Sequence, residues 1–439
     1  MNELHSVHRG SIAPGIELTC IQTDRFKTGC LSVNLVGKLS RATAPGFALI
    51  PRVLRRGSSE HPDMESIAAA LDELYGARIE PMVRKKGEMH CIGFYADYPD
   101  ERFIPGGSDI LEKVAGLVCG MLLSPDMRDG ALRQDYIDSE KNNLIDDIRA
   151  NINDKRGYSI DRLVEEMCAN EAFGTCRLGD EPGVRAITPD TLTGCYRDIL
   201  ESSRVEILYC GSAGPDRVNA ALSGALSVLP AARDDLALPP TEIVLYPGSG
   251  APRRITEALD VTQGKLAVGF RLGKAMAGVP DYPALMVFNA VYGSGDISKL
   301  FLNVRERLAL CYYVSSILEK HKGVMIVSSG VEFSDFETAL DEILAQLGHV
   351  KSGDISEHEL LSAKRSIITS IKSAMDRPAG LVDLYFDSAI ASVRYDPAAL
   401  CDEIEAVTQK QVAGTASQVE PDTIYFLTGD PLTVGEDGE

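Results

Sequence analysis

The sequence predicts an α+β protein made of two homologous domains, each a mixed sheet covered by helices. Three observations carry this prediction: a segment that occurs twice, strand and helix patterns that are grouped within each half instead of strictly alternating, and a proline- and glycine-rich stretch near the middle. The 439 residues are enough for two domains of ordinary size, and 44% hydrophobic with 25% charged residues is typical of a globular protein.

The repeat is clearest between Ser139–Tyr158 and Ser362–Leu381, which align without a gap and match Lys141 with Lys364. Both segments place apolar residues at helical spacing, which predicts an amphipathic helix in each half. Further matched pairs are Leu144 with Ile367, Ile145 with Ile368 and Ile148 with Ile371. Several matches at one offset are hard to attribute to chance.

Two later landmarks keep nearly the same offset. Ile187-Thr188 precedes a predicted helix and a strand at Ile207–Gly211, and Val407-Thr408 precedes a predicted helix and a strand at Ile424–Gly429. The order of elements in the two halves is therefore predicted to be the same.

Strands and helices are predicted elsewhere from alternation, helical spacing and terminating Gly or Pro residues. Glu17–Gln22 and Cys30–Val36 flank a mostly polar turn, which predicts a hairpin. The other predicted strands are Glu88–Tyr95 and Gly264–Leu272, and the helices are Met64–Tyr75, Asp109–Leu123 and Asp335–Leu347.

The domain boundary is predicted in Leu229–Ile255, which contains Pro230, Pro239, Pro240, Pro247, Gly248, Gly250 and Pro252. The predicted organisation is a first domain over residues 1–228, a linker over 229–255 and a second domain over 256–439.

Charge and composition exclude several classes of function. A formal net charge of −20 argues against a nucleic-acid partner, and fits either a well-solvated surface or an acidic wall that attracts basic peptides. The longest apolar run, Val114–Leu123, is too short for a membrane span, and Met1–Pro14 has no apolar signal-peptide core. The ten Cys form no Cys-x-x-Cys pair. We therefore expect a soluble protein of the reducing cytoplasm.

The segment Ser298–Ser315, preceded by Gly293-Ser294-Gly295, resembles the second-domain pattern of the insulinase/pitrilysin metallopeptidases. That pattern is a Gly-rich turn followed by S-x-L-F-x-x-x-R-E-x-x-x-L-x-Y. Asn143–Gly211 follows the tail of the family's first domain, and Met64–Ala77 is similar to a segment of the metal-free partners in bacterial two-gene peptidase pairs. The resemblance covers nearly the whole chain and implies two insulinase-like domains that form half of a clam-shell.

Active members of this family carry His-x-x-Glu-His on a first-domain helix, where the two His bind zinc and the Glu is the general base. The matching helix is Gly46–Gly57. Aligned on Gly57, the two His positions are Ala48 and Arg52, and the Glu position is Pro51. A one-residue slip gives Leu49, Val53 and Arg52 instead. In neither alignment can these residues bind zinc.

The place of the third zinc ligand matches Asp147, seven residues after Glu140, for which a solvated helix face or a polar contact is the favoured interpretation. The seven His include no pair spaced i, i+4. His5 and His8 fall in a terminal segment that we expect to fray, and a structural role is favoured for His90, His321 and His349. The sequence therefore predicts no metal site, no cofactor and no catalytic residue.

In paired peptidases of this family, the metal-free partner closes over a substrate held by a zinc-binding homologous subunit. The resemblance implies that Arg305 and Tyr312 bind this substrate by donating hydrogen bonds to a peptide carbonyl. From the residues alone, an ion pair of Arg305 with a neighbouring acid on a surface helix and a core position for Tyr312 or Tyr313 are favoured. The family pattern reverses this preference.

Three functions remain open. The leading hypothesis is a non-catalytic, substrate-binding subunit of a heterodimeric zinc peptidase that acts on peptides or an unfolded protein segment. The second is a non-cleaving peptide- or protein-binding homodimer or scaffold. A subgroup that the sequence resembles is associated with modification of elongation factor P, which suits either hypothesis. The third is an independent metallopeptidase with unusual ligands.

Overall fold

A computed structural model of the chain describes residues 5–106, 109–227, 229, 236–244, 250–274, 281–393 and 396–429. It contains two compact units, and each is built around one mixed sheet with helices, which confirms the predicted α+β class. The first unit comprises Met1–Arg149, Thr175–Pro240 and Ala374–Ser392; the second comprises Ala150–Gly174, Thr241–Ser373 and Val393–Glu439.

The strands of the first unit are β1 (Ser6–Ala13), β2 (Ile16–Gln22), β3 (Thr28–Lys38), β4 (Arg78–Lys86), β5 (Met89–Pro99), the short pair β6 (Met127–Arg128) and β7 (Ala131–Leu132), and β8 (Arg204–Gly211). Those of the second unit are β9 (Arg253–Leu259), β10 (Gly264–Arg271), β11 (Cys311–Glu319), β12 (Val324–Val331) and β13 (Glu420–Gly429).

The helices, in chain order, are α1 (Ala44–Leu54), α2 (Met64–Glu73), α3 (Ile110–Leu123), α4 (Gln134–Ala150), α5 (Lys155–Met167), α6 (Glu181–Ala186), α7 (Pro189–Ser202), α8 (Pro215–Leu226), α9 (Tyr282–Tyr292), α10 (Phe336–Lys351), α11 (Glu357–Met375), α12 (Pro378–Ile390), α13 (Pro397–Ala406) and α14 (Gln409–Ala416). The predicted helices therefore exist, with ends shifted by a few residues.

The sheet of the first unit has the order β1-β2-β8-β3-β5-β4. The predicted hairpin between β2 and β3 is wrong, because β8 lies between them, parallel to β2 and antiparallel to β3. β8 is buried along almost its whole length, as expected for a central strand covered on both faces. The apolar pattern of β2 and β3 predicted that both are strands, but it carries no information about a partner that follows much later in the chain.

The terminal segment predicted to fray instead forms the edge strand β1, which pairs with β2 through a turn at Pro14 and Gly15. Gly15 has a φ of 69°, a left-handed conformation that glycine adopts without strain. β1 has no fully buried residue, so its sequence lacks the apolar alternation by which a half-buried strand is recognised.

The sheet of the second unit has the order β11-β12-β10-β13-β9, with β13 and β9 parallel and the other pairs antiparallel. The helix α5 packs on β10, β12 and β13. Its Leu163, Val164 and Met167 join Ala267, Ile326 and Leu427 in one buried apolar cluster. The unit thus depends on a helix from the first half of the sequence.

The exchange is reciprocal. The helix α12, from the second half of the sequence, packs against β2, β3 and β8 of the first unit. Each unit is therefore built mainly from one half of the chain and receives one helix from the other. The predicted boundaries at 228 and 256 separate the two copies of the sequence repeat and remain a prediction. The compact units divide the chain differently, because each includes a segment from the other copy. Residues 230–235 and 245–249 of the predicted linker lie outside the described residues.

The sequence repeat is visible in individual hydrogen bonds. Lys141 on α4 donates to the carbonyl oxygen of Arg185 at 2.9 Å, and the matching Lys364 on α11 donates to that of Glu405 at 2.7 Å. Thr188 and Thr408 each cap the following helix with a reciprocal side-chain and backbone pair. The two halves therefore repeat a structural unit, and in each repeat the helix after the long helix is the exchanged one. Within the described residues, every helix is too short or too polar to span a bilayer.

Candidate functional site

The positions that match the family's zinc ligands lie on α1 and α4 of the first unit. α1 begins with Pro45 in its first turn and buries most of its length, including Ala48 and Pro51. Arg52 lies in its last turn, and Arg55 and Arg56 follow in the turn that ends the helix. The three are spaced i, i+3 and i+4, so they project from one side.

Two of these arginines form ion pairs with α4. Arg52 Nη2 lies 2.6 Å from Asp147 Oδ2, and Arg56 Nη1 lies 3.2 Å from Glu140 Oε1. In the alignment on Gly57, Arg52 occupies the position of the second His and Asp147 that of the third ligand. Their contact joins two ligand positions, which favours this alignment over the one shifted by a residue. It also confirms the polar contact expected for Asp147.

The residues at these positions do not fit zinc. Ala48 offers a methyl group and Pro51 has no ligating atom, while the guanidinium of Arg52 stays cationic and cannot coordinate a metal ion. The described residues contain no group of three or more His, Cys, Asp or Glu side chains placed to hold a metal. No chemical step through zinc can therefore be derived for this chain.

A cavity of about 530 Å³ lies at this place in the first unit. The residues that line it come from α1, the start of α2, β4, α4 and the segment before α6: Arg52, Arg55, Arg56, Met64, Glu80, Pro81, Val83, Glu140, Asn143, Arg177 and Leu178. Arg55, Arg56 and Arg177 were not among the site residues predicted from the sequence. The i, i+3, i+4 spacing of Arg52, Arg55 and Arg56, beside the place of the missing zinc motif, was the sequence feature that could have indicated a cationic site.

Arg305 lies in a π-helical segment, Phe301–Arg307, of the second unit. Such segments are rare and often occur at functional sites. The Arg305 side chain is 42% exposed, lies over the Phe301 ring at 4.7 Å and approaches Glu306 only to 3.6 Å. Arg305 is therefore accessible and only weakly paired, unlike Arg307, which lies 3.0 Å from Glu342.

Tyr312 lies at the start of β11, an edge strand of its sheet, and is 69% exposed. The pairing with β12 shifts register between Cys311 and Tyr313, so Tyr312 is the extra residue of a β-bulge. Bulges re-aim side chains and are common next to functional sites. The interpretation of Tyr312 as a core residue is wrong because the bulge turns it outward.

A short connection links these two residues. After the π-helical segment, Ala309 adopts a φ of 51°, and the backbone N–H of Leu310 donates to the carbonyl oxygen of Val304 at 3.0 Å. Burial raises the pKa of the Cys311 thiol, and the positive charge of Arg305 opposes that increase. Arg305 is thus close enough to the start of β11 for its charge to act there.

The neighbouring part of β11 is cationic as well. The Arg156 guanidinium lies 4.5 Å from the centre of the Tyr313 ring and donates to Ser315 Oγ at 2.7 Å, and Lys265 Nζ lies 5.9 Å from the same ring. This neighbourhood could not be predicted from the sequence, because Arg156 belongs to the exchanged helix α5.

The Gly-rich turn before Arg305 has a structural explanation. A side chain at Gly293 would collide with Leu300 and Ser316, and the Gly293 carbonyl accepts the Ser316 N–H at 2.9 Å. Ser298 Oγ accepts the Phe301 N–H at 3.3 Å, which is a capping contact at the start of the π-helical segment. The turn therefore fixes the π-helical segment against β11.

Comparisons with known proteins agree with this architecture. The family model described as "Peptidase M16 inactive domain" matches residues 186–367. The probable inactive metalloprotease YmfF of Bacillus subtilis (strain 168) is 32% identical over 429 residues, which cover 98% of this chain and 98% of the relative.

Solved structures show the same fold. A conserved protein from Enterococcus faecalis V583 superposes with a TM-score of 0.87 at 23% identity, over 97% of this chain and 99% of that chain. A peptidase M16 inactive domain from Pseudomonas fluorescens gives a TM-score of 0.78 at 15% identity, over 97% and 98% of the two chains. At these identities the likeness concerns the fold alone.

Proposed function

Since the chain belongs to the M16 peptidases, the insulinase/pitrilysin family, as one of their inactive members, we propose that it is the non-catalytic, substrate-binding subunit of a heterodimeric zinc peptidase. Its partner would be a homologous subunit with an intact zinc motif. The substrate would be a peptide or an unfolded protein segment, and the pair would act in the cytoplasm. All ten cysteines carry thiols and form no disulfide with one another, which supports a reducing compartment.

The observation that carries the proposal is the exposure of Arg305 and Tyr312 on adjoining elements at the β11 edge. A guanidinium and a phenol hydroxyl are both hydrogen-bond donors, so each suits a substrate carbonyl oxygen. An edge strand also offers unpaired backbone groups, to which an extended peptide can add as a further strand. Together they would hold a peptide beside the partner's metal-bound water and polarise its carbonyl group.

The test is peptide hydrolysis by this chain mixed with a zinc-bearing M16 homologue from the same organism. Arg305→Ala should lower turnover by on the order of 10- to 100-fold, as expected when a donor to a reacting carbonyl is lost. Tyr312→Phe should have a smaller effect in the same direction, because only the hydroxyl is removed. Sedimentation of the mixture should show unchanged subunit association for both variants.

Arg307→Ala is the matched control, because Arg307 belongs to the same segment and is bound to Glu342. Its turnover should equal that of the unaltered chain. Equal turnover for Arg305→Ala and Arg307→Ala would overturn the assignment of Arg305.

A second candidate is a binding module that holds a peptide or protein client without cleavage, as a homodimer or scaffold. The edge position of β11 supports it equally, because strand addition requires no metal in any subunit. Stable peptide binding by the chain, with no hydrolysis even in the presence of the zinc-bearing homologue, would favour this candidate over the heterodimeric peptidase.

A further inference from the structure

The cavity on α1 differs in charge from the rest of the protein. The chain carries a formal net charge of −20, yet four arginines and two glutamates line this cavity. Even with Asp147, which binds Arg52, three carboxylates face four guanidinium groups. A local excess of positive charge within an acidic protein attracts anions to that place.

The arginines are held in position by the fold. Arg55 donates from Nε to the carbonyl oxygen of Ile79 at 3.1 Å, which directs the rest of its guanidinium toward β4. Its nearest carboxylate, Glu80, is 3.9 Å away and 62% exposed, so that pairing is weak. The spacing of Arg52, Arg55 and Arg56 at the end of α1 and the bond of Arg55 to the β4 backbone keep the three arginines together.

Some hydrogen-bond donors of the arginines at this cavity have no acceptor within the described residues. The Nε atom of Arg56 is buried and has no hydrogen-bond acceptor within the described residues. The guanidinium of Arg177 is exposed and has no ion-pair or hydrogen-bond partner in the part of the chain that the structure describes. Buried donors in native proteins are nearly always satisfied, so an orphaned one at a cavity wall points to a ligand.

We propose that this cavity binds an oxyanion-bearing ligand, with carboxylate or phosphate oxygens accepting hydrogen bonds from Arg55, Arg56 and Arg177. One guanidinium group can donate two parallel hydrogen bonds to the two oxygens of a carboxylate or phosphate, a geometry that other side chains match less well. The volume of about 530 Å³ suits a small molecule or a few residues of a peptide. Met64, Val83 and Leu178 give the cavity apolar walls that would contact the carbon skeleton of the ligand.

The cavity lies where the zinc site of active family members is expected from the sequence resemblance. In those members His and Glu side chains hold a cation. This chain has arginines at that place, so the ligand it prefers is an anion. Asp147 and Glu140 then act as partners of Arg52 and Arg56 that keep the cationic side chains extended across the cavity. Binding of such a ligand requires no peptidase partner.

The test uses the full chain alone and isothermal titration calorimetry at low ionic strength. The probes are inorganic phosphate, citrate and a tetraglutamate peptide with blocked ends. At least one probe should bind at a single site, and Arg177→Ala should weaken that binding by about tenfold, as expected for loss of one charge-assisted pair. Arg177→Glu should abolish it. Because Arg177 is exposed, both variants should keep the far-UV circular dichroism and melting temperature of the parent.

The control is Arg128→Ala, which removes an exposed arginine of the same unit that does not line the cavity. Its affinity should match that of the parent. Strongest binding of the peptide would identify an acidic polypeptide segment as the source of the oxyanion, and strongest binding of citrate or phosphate would identify a small molecule. No saturable binding of any probe at millimolar concentration, or equal weakening by Arg177→Ala and Arg128→Ala, would overturn the proposal.

Discussion

At the scale of single residues, His90 is a side chain whose ionisation is strongly shifted by its surroundings. It is fully buried on β5, with its ring 5.8 Å from that of Phe47. Neither ring nitrogen forms a well-aligned hydrogen bond within the described part of the chain. Burial lowers the pKa of His90 to about 4, and the charges of Lys85 and Arg177 act in the same direction, while the nearby Arg177 backbone offsets them only in part.

This shift predicts a loss of stability in mild acid. Between the ordinary pKa of 6.5 and the folded value of about 4, the unfolded state binds a proton at His90 that the folded state does not. The stability that the neutral, buried His90 contributes is therefore fully present above pH 6.5 and decreases as the pH is lowered toward 4. Between pH 7 and pH 5 we expect about 2 kcal/mol less stability from this residue.

Urea unfolding of His90→Leu at several pH values measures the effect. The variant should lose less stability than the parent between pH 7 and pH 5, because leucine does not titrate. His358→Gln, which alters an exposed histidine on α11, should keep the parent's pH dependence. A parent and a His90→Leu variant with the same pH dependence would contradict the prediction.

At the scale of elements, ion pairs anchor the two exchanged helices. The pairs near α5 are buried, whereas the pair on α12 is exposed to solvent. Glu171, just after α5, binds the buried Arg271 at 2.6 Å and the buried Lys322 at 2.8 Å. On the exchanged helix α12, Asp383 binds Arg84 at 2.6 Å, and both side chains are substantially exposed. Ion pairs of these two kinds make very different contributions to stability.

Glu171→Gln should lower the free energy of unfolding by about 3 kcal/mol, because it removes a carboxylate that two buried cations share, although Asp422 still pairs with Arg271 at 2.9 Å. The matched variant Asp383→Asn should lower it by less than about 1 kcal/mol, because water screens that pair. Denaturant unfolding of both variants under identical conditions provides the comparison. Losses of similar size would show that burial does not control the contribution of these anchors.

The elements also show what the sequence could and could not predict. The strands β2, β3, β5 and β10 and the helices α2, α3 and α10 follow from local apolar periodicity, and the repeat correctly matched Lys141 with Lys364. The position of β8 between β2 and β3 was missed, because strand order is decided by packing between distant segments. The bulge at Tyr312 could not be predicted for the same reason, since a bulge depends on the partner strand.

The candidate site was predicted in part. The loss of zinc ligands at Ala48, Pro51 and Arg52 could be read from residue chemistry alone, since none of these side chains can coordinate zinc. The cationic cavity beside them could not, because Arg177 approaches α1 only in the folded chain and has no sequence spacing in common with Arg52, Arg55 and Arg56.

At the scale of the whole molecule, the reciprocal exchange of α5 and α12 makes the two halves of the sequence depend on each other. The buried cluster of the second unit contains Leu163, Val164 and Met167 from α5, so removing this helix would expose Ala267 and Leu427 on the sheet. In the first unit, removal of α12 would uncover β2, β3 and β8. A chain cut in the predicted linker would retain these contacts, whereas separately produced halves would lack them.

A protease site inserted between Pro239 and Pro240, in a segment without helix or strand, tests this dependence. After cleavage, the two fragments should elute together on gel filtration, because each fragment contributes a helix to the other's unit. Residues 1–239 and 240–439 produced separately should be aggregated or poorly folded, because each lacks apolar cover for its sheet. When the two are refolded together they should form the same complex as the cleaved chain.

The outcome that would contradict this prediction is separation of the cleaved fragments into two folded, monomeric species. Each unit would then be stable without its exchanged helix, and the contacts of α5 and α12 would contribute little to either one. Adding Glu171→Gln to the cleaved chain sharpens the experiment, because it weakens an anchor of the segment that follows α5 without altering the cleavage site. If the exchanged helices hold the fragments together, this variant should dissociate at a lower denaturant concentration than the cleaved parent, and cleaved Asp383→Asn should remain close to the cleaved parent.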